Sequence, residues 1–123
     1  MENMMSIYHE GLQTFCLGRT PNSWITMGDL RVYMRKGVHT LPPLRAVRNT
    51  FDIASVEVTS DKRGNGIFTE FLKVAEDLAR ENGFDAVYVE NLLNPRLASF
   101  LARRGYTQMG SQEVPSFFRY CSD

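Results

Sequence analysis

The residues best suited to chemistry lie in a polar loop at positions 61–66, which reads Asp-Lys-Arg-Gly-Asn-Gly. A phosphate group needs several donors converging on its oxygens. The backbone N–H groups at a helix N-terminus supply them, and the helix dipole favours negative charge there. Gly64 and Gly66 carry no side chain that would obstruct a close backbone approach. The loop therefore indicates a phosphate site, although a plain strand-to-helix turn fits the local pattern equally well.

Two common phosphate-binding patterns do not fit this loop. The Walker pattern is absent, because no Gly-Lys-Ser/Thr follows the glycines. The dinucleotide pattern fails as well, because its third glycine would fall at the position of Thr69.

The segments on either side of the loop must position it. Residues 51–58 are rich in β-branched side chains, which predicts a central strand. From Ile67 onward, apolar residues recur at helical spacing opposite a charged face, which predicts a helix ending near Gly83 as a left-handed cap. Residues 85–89 predict a second strand. This order is a βαβ unit, so the two strands are expected to be parallel neighbours.

The end of the chain predicts a second helix and two closing strands. Asn94 is suited to the N-cap and Pro95 to the first turn of a helix that ends at Gly105. The closing strands are expected at residues 106–109 and 116–120.

The front half gives weaker signals. Residues 30–35 alternate apolar and polar side chains, which predicts a half-buried strand. Pro42 and Pro43 are expected to break the chain. Residues 4–17 fit a helix or a strand equally well.

Two segments together resemble the GNAT acetyltransferase superfamily. Residues 63–67, Arg-Gly-Asn-Gly-Ile, resemble the Arg-Gly-x-Gly-Ile core of that family's acetyl-CoA loop. Residues 94–106 are similar to its Asn-(x)n-Leu-Tyr-x-x-x-Gly-Phe segment, and the spacing from Asn94 to Gly105 fits without a gap. Two motifs in the right order are more specific than either alone. The resemblance covers residues 51–110, and the preceding part is short for the family's opening strand and two helices.

This resemblance implies a fold and an activity. The fold class is α/β (α+β): a single GNAT-like domain over residues 1–123, with a mixed central sheet flanked by helices and a βαβ acetyl-CoA-binding core. The implied activity is an N-acetyltransferase that moves acetyl directly from acetyl-CoA, its cosubstrate, to a primary amine of an unknown acceptor in a ternary complex. The alternative is a catalytically silent acyl-CoA-binding or protein-interaction module on the same fold.

The resemblance also implies cofactor contacts. The backbone of Val56 and Val58 would hold the pantetheine arm, which is compatible with core packing of their side chains. Asn94 would contact the cofactor arm, while an N-cap role accounts for the same residue. The implied pyrophosphate contacts are Lys62, Arg63, Gly64, Asn65, Gly66, Ile67, Phe68 and Thr69. Lys62 and Arg63 fit equally well as solvated loop charges.

Three positions depart from the family pattern. Asp61 stands where Gln or Arg is usual, and Phe68 stands where a small residue is common, so it is expected to crowd the loop or to pack beneath it. Leu101 occupies the position of the family's general-acid tyrosine and cannot donate a proton. Substitutes outside the motif position are Ser99, Tyr88 and Tyr106.

Two glutamates are candidates for the catalytic base. These are Glu57 on the central strand and Glu90 after the second strand, each acting directly or through water. Apolar neighbours suggest that burial raises the pKa of Glu57, with a surface or salt-bridged glutamate as the alternative. His9 and His39 lie in the weakly matched front half, where a structural or exposed role is expected.

Composition limits the classes of partner. The 123 residues include 14 basic and 14 acidic side chains, so the charge balance predicts no nucleic-acid partner. No secretory signal and no apolar run of about 20 residues is present. With Cys16 and Cys121 as free thiols, this predicts a cytoplasmic protein without a membrane partner. A homodimer interface or, alternatively, ordinary core is suggested by four aromatic residues: Trp24, Phe117, Phe118 and Tyr120.

Overall fold

A six-stranded mixed sheet organises the fold, and three helices accompany it in the part of the chain that the structure describes. The computed structural model describes residues 4–43, 45–59, 66–90, 95–110, 113 and 115–121. In chain order the elements are α1 (Met4–Leu17), β1 (Asn22–Met27), β2 (Leu30–Leu41), β3 (Ala46–Val58), α2 (Ile67–Glu81), β4 (Ala86–Val89), α3 (Pro95–Arg103), β5 (Thr107–Gly110) and β6 (Pro115–Tyr120). The strands are ordered β1-β2-β3-β4-β6-β5.

The predicted βαβ unit is confirmed. Strands β3 and β4 are parallel neighbours joined through α2, and the remaining strand pairs are antiparallel. Helix α2 ends where expected, since Gly83 has a φ of 82° just beyond it. The closing strands and the strand at residues 30–35 are also confirmed, the latter extending to Leu41 immediately before the two prolines.

The front segment, which the sequence left undecided, is a helix. Its buried side chains are Tyr8, Leu12 and Phe15, at the four- and three-residue spacings of one helical face. One helix and two strands of the described residues therefore precede β3.

The two faces of the sheet carry different clusters of buried side chains. The larger cluster lies on the helix-covered face, where Phe51 and Ile53 of β3 pack with side chains from all three helices, including the fully buried Leu101. A fully buried Leu or Phe contributes about 1.5–3 kcal/mol, so this face holds the fold together. The smaller cluster lies on the opposite face, here called the second face. Its buried members are Leu41, Ala86, Tyr88 and Phe118, all of them from strands.

A one-residue bulge interrupts β3. Met34 pairs with Ile53 and Tyr33 pairs with Ser55, so Ala54 is an extra residue. Side chains alternate between faces along a strand, and an extra residue reverses that alternation. Val56 and Val58 therefore pack against the helix-covered cluster, and Glu57 points outward. Of the two expectations for Glu57, burial is wrong for this reason and a surface, salt-bridged glutamate is confirmed, because the side chain is 56% exposed and pairs with Arg31 at 3.2 Å.

The aromatic residues considered for a homodimer interface differ in burial. Phe117 and Phe118 are buried in the two clusters, so their predicted exposure is wrong and the core alternative is right. Trp24 is 40% exposed, and the homodimer stays a prediction.

Cys16 and Cys121 are free thiols, as expected. None of the helices in the described ranges has the length and apolar character needed to cross a membrane.

A charged network joins α2 to the end of the chain. Glu76 of α2 accepts a bidentate interaction from Arg104, with the shortest contact 2.6 Å from Arg104 Nη2 to Oε1. The Tyr106 hydroxyl donates to Glu76 Oε2 at 2.7 Å, and Arg119 of β6 lies 3.5 Å away. Burial, followed by the nearby Glu76 carboxylate, raises the pKa of Tyr106 far above its ordinary value. Tyr106 is thus a buried structural donor in this network.

We expect Glu76→Ala to lower the free energy of unfolding by about 2–4 kcal/mol, because it leaves Arg104 and the buried Tyr106 hydroxyl without their acceptor. Urea unfolding followed by circular dichroism measures this. The control is Asp77→Ala on the same helix, whose exposed pair with Arg80 should matter by less than about 1 kcal/mol. Equal effects of the two substitutions would contradict a stabilising role for the network.

Candidate functional site

The two parallel strands stop pairing before β3 ends, and we call the edge of β3 beyond that point the cleft. Strands β3 and β4 pair from Thr50 and Ala86 to Ile53 and Val89. One more bond follows, from the Glu90 N–H to the Ile53 carbonyl at 3.0 Å. Strand β3 then continues to its end while no described residue pairs with it on the β4 side. A crevice at the carboxyl ends of parallel strands is a common position for ligands in α/β folds.

The backbone of β3 is available inside this cleft. The Thr59 N–H donates to the Asp29 carbonyl at 2.9 Å, so the backbone N–H of Thr59 points to the β2 side. Backbone groups alternate in direction along a strand, which turns those of Val56 and Val58 toward the cleft. An extended ligand can add hydrogen bonds at such an edge. This is the orientation that the predicted backbone contacts of Val56 and Val58 require.

Helix α2 begins beside the end of β3. Gly66 is its N-cap residue, in the left-handed conformation with φ 74° and ψ 12°, and it makes no side-chain capping bond. No atom of the described residues would lie within 4 Å of a Cβ added at Gly66. The first backbone N–H groups of a helix have no acceptor within it, and here they belong to Ile67, Phe68 and Thr69.

Several predicted cofactor residues lie outside the described part of the chain: Asp61, Lys62, Arg63, Gly64, Asn65 and Asn94. Phe68 is half-buried and packs against the core, with its ring 6.2 Å from that of Phe71. Its side chain therefore belongs to the hydrophobic core. The loop that Phe68 was expected to crowd or to pack beneath lies outside the described residues.

The substitutes considered for the missing tyrosine acid have different surroundings. Leu101 is fully buried, as a core residue should be. The Tyr106 hydroxyl is engaged by Glu76. Ser99 is exposed on α3, and Tyr88 is buried on the second face against His39.

On the second face, a polar cluster surrounds the buried Asp52, which is 1% exposed. His39 Nε2 lies 2.9 Å from Asp52 Oδ2, and the Thr50 hydroxyl donates to Asp52 Oδ1 at 2.5 Å. Arg35 Nε is 3.8 Å from Asp52 Oδ2, and Arg35 Nη2 donates to Glu90. We call His39, Asp52, Arg35 and Glu90 the mouth cluster, because Glu90 makes the last bond between the strands before they part.

Gly37 makes room for the Asp52 carboxylate. A Cβ built at position 37 would lie 2.2 Å from Asp52 Oδ2, which no real side chain tolerates. Glycine inside a strand often marks such a close approach. The sequence contained two signals for this cluster, a glycine within a predicted strand and a carboxylate within an apolar one. His39 could not be linked to them without the register of β2 and β3.

Burial and ion pairing set the electrostatics of the mouth cluster. Burial raises the pKa of Asp52, and the hydrogen bonds with Thr50 and His39 oppose that rise. One ligand atom each from His39, Asp52 and Glu90 lies within 4.8 Å of the others, a grouping that could hold a metal ion. The Arg35 guanidinium contacts both carboxylates and supplies the positive charge there. We therefore interpret the cluster as an ion-pair network.

The two predicted catalytic glutamates are placed very differently. Glu90 belongs to the mouth cluster, and its side chain is 18% exposed. Glu57 lies on the part of β3 beyond the bulge, where it is exposed to solvent and paired with Arg31. The structure thus brings Glu90, and not Glu57, together with His39 and Asp52.

Comparison with known proteins identifies the fold. No protein-family model and no curated protein matches the sequence. A protein from Agrobacterium tumefaciens assigned as an acetyltransferase is 18% identical, with a TM-score of 0.60 over 90% of this chain and 82% of its own. A GNAT-family acetyltransferase from Listeria monocytogenes 4b F2365 is 13% identical, with a TM-score of 0.52 over 76% of this chain and 64% of its own.

A third solved structure contains a ligand. It is a mutant of the toxin AtaT bound to the C-terminus of the antitoxin AtaR and to acetyl-CoA. It is 11% identical, with a TM-score of 0.54 over 75% of this chain and 58% of its own. This chain therefore spans less than two thirds of AtaT and of the Listeria protein. At these identities the likeness concerns architecture, and the chain has the fold of the GNAT acetyltransferases.

Proposed function

We propose that this chain is an acetyl-CoA-dependent N-acetyltransferase that transfers acetyl directly to a primary amine within one ternary complex. The observation that carries the proposal is the cleft between β3 and β4. There an open backbone edge leads to the N-terminus of a helix whose cap residue is a left-handed glycine. The sequence of the intervening loop and the fold itself support the same conclusion.

The extended shape of acetyl-CoA suits this arrangement. The pantetheine arm would pair with the backbone of Val56 and Val58, as a further strand pairs with a sheet edge. The pyrophosphate would lie before α2, on the amides of residues 62–69 and against the charges of Lys62 and Arg63. The thioester would then reach the point where the strands part, with Asn94 as a further contact to the arm.

The amine must lose a proton before it attacks the thioester. In this proposal the base belongs to the mouth cluster, and Glu90 is the member that the sequence predicts. Glu57 is disfavoured, because its exposed ion pair with Arg31 lies away from that cluster.

Leu101 favours a second candidate function. Its full burial leaves the position of the family tyrosine without a proton donor for the leaving thiolate. A catalytically silent acyl-CoA-binding module would need no such donor. It predicts cofactor binding without turnover.

Calorimetry with acetyl-CoA and a thiol assay for coenzyme A release distinguish the two functions. The assay uses polyamines, lysine-containing peptides and peptides with free N-termini as acceptors. Binding with amine-dependent release supports the acetyltransferase, and binding without release at any pH supports the silent module. Failure to bind acetyl-CoA would reject both. Sedimentation of the same sample tests the predicted homodimer.

We expect Gly66→Glu to weaken acetyl-CoA binding by at least about 100-fold, because a carboxylate would stand where the pyrophosphate is proposed to bind. The measurement is calorimetric titration of the folded variant. Gly83→Glu is the matched control: it lies beyond the other end of α2, has a similar φ of 82°, and also leaves open space around an added Cβ. Both substitutions carry the strain of a left-handed non-glycine residue, about 1–2 kcal/mol.

Only the substitution at the N-terminus of α2 should change affinity. If both variants bind acetyl-CoA as the unmodified protein does, the assignment of the loop as the pyrophosphate site is wrong. Equal losses at both positions would point to a general loss of structure and would likewise contradict the assignment.

A further inference from the structure

We propose that His39, oriented by Asp52, is the base that removes the proton from the acceptor amine, an inference that rests on the proposed acetyltransferase function. His39 lies 13 residues before Asp52 in the sequence, and the β2–β3 hairpin brings the two side chains together. Its ring is stacked on that of Tyr88, with centroids 3.8 Å apart and planes 12° from parallel. The stacking on Tyr88 therefore fixes the plane of the imidazole ring, and the contact with Asp52 fixes the position of Nε2.

The contact with Asp52 leaves one ring nitrogen for chemistry. When Nε2 carries a proton and donates it to the Asp52 carboxylate, the lone pair of Nδ1 is available to accept another proton. The His39 side chain is 25% exposed, so the ring is accessible from solvent while Asp52 is not. A buried carboxylate that orients an imidazole is the arrangement by which histidine bases are activated in other enzymes.

The charges around His39 favour a cationic acceptor. Arg35 and Asp52 face it from β2 and β3, Glu90 and Tyr88 from the end of β4, and Arg48 is its register partner on β3. The Arg48 guanidinium lies over the Tyr120 ring, 5.6 Å from its centroid. The Asp52 and Glu90 carboxylates both contact Arg35, and their oxygens have further capacity to accept hydrogen bonds from an ammonium group.

Arg35 also decides between the two candidate bases. Its guanidinium donates to Glu90, so that carboxylate is already engaged by a cation. The contact of His39 with Asp52 uses only Nε2, which leaves Nδ1 to accept a proton. Glu90 then serves to hold the incoming ammonium beside the thioester.

The proposed acetyl transfer accounts for every proton and for the leaving group. The ammonium gives one proton to His39 Nδ1, and the neutral amine nitrogen forms a bond to the thioester carbonyl carbon. Collapse of the tetrahedral adduct breaks the carbon–sulfur bond, the nitrogen loses its second proton, and the departing thiolate takes up a proton. The products are the acetamide, the coenzyme A thiol, and a histidinium that returns its proton to water.

The test is the pH dependence of kcat/KM for coenzyme A release, with the fastest acceptor of the amine panel. We expect kcat/KM of the unmodified protein to fall as pH falls, because His39 that already carries a proton on Nδ1 cannot accept one from the amine. His39→Gln should be at least about 100-fold slower and lack this dependence on pH, while binding acetyl-CoA within twofold of the unmodified protein. His9→Gln, at an exposed position on α1, is the control and should change neither quantity.

The Asp52→Asn variant tests whether Asp52 orients His39 or only contributes to the stability of the fold. We expect it to lower kcat by at least about 100-fold without lowering the free energy of unfolding at pH 7. Because burial raises the pKa of Asp52, the folded state disfavours the carboxylate, and the fold loses stability as pH rises through that pKa. Asp52→Asn has no carboxylate at this position, so its free energy of unfolding should not fall with rising pH for this reason. Urea unfolding at pH 5 and pH 8 checks the sign.

Gly37→Ala is an independent probe of the same contact. Its methyl group would displace the Asp52 carboxylate from His39 without removing either residue. We expect kcat to fall at least about 10-fold and acetyl-CoA affinity to stay the same. Gly11→Ala serves as the matched control, since its Cβ would press on the flexible Met27 side chain instead.

Three outcomes would overturn the assignment of His39. The first is a His39→Gln variant with a rate within threefold of the unmodified protein and the same pH profile. The second is loss of the pH dependence of kcat/KM in Glu90→Gln alone, which would make Glu90 the base. The third is acetyl-CoA binding without release by any amine, which rejects the base while the cofactor cleft stands. Failure of acetyl-CoA to bind would instead reject the proposed function itself.

Discussion

The extra residue in β3 sets the course of the strand at the place where it leaves β4. Bulges bend a strand and increase its twist, and Ala54 lies one residue beyond the last bond between the parallel strands. The same insertion keeps Val56 and Val58 on the helix-covered face after the strand has turned. A regular strand would have aimed Ser55 and Glu57 at the hydrophobic core. The cleft and the hydrophobic core beneath it thus depend on a single inserted residue.

The two faces of the sheet divide structural and chemical roles. The helix-covered face is apolar apart from the network around Glu76, which ties α2 to the last strands through fully engaged groups. The second face contains the mouth cluster, in which a carboxylate is buried although burial opposes its charge. Natural proteins accept such an unfavourable group mostly where it has a function. The cleft opens between these faces, so a ligand held by one side can meet side chains from the other.

Local patterns predicted the elements that are local in sequence. The order strand, loop, helix, strand from Phe51 to Val89 contains its own periodicities and caps, so the βαβ unit and the parallel pairing could be read directly. The loop motif, together with the segment ending at Tyr106, predicted the fold. The mouth cluster could not be predicted, because His39 reaches Asp52 only through the register of a long hairpin. The two expectations for Glu57 could not be decided for a related reason, since Ile53-Ala54-Ser55-Val56 breaks the alternation of apolar residues and only the pairing with β2 shows that this break is a bulge.

Gly37 has a consequence for the evolution of this sequence. The space that a side chain at position 37 would fill is already occupied by the carboxylate of Asp52, so the two positions share one volume. A larger residue can enter at position 37 only where the Asp52 carboxylate is displaced or position 52 has become smaller. Related chains should therefore vary at these two positions together, and a lineage that loses the carboxylate is released from the need for glycine. Covariation of such a pair would record the contact between β2 and β3 in the sequences themselves.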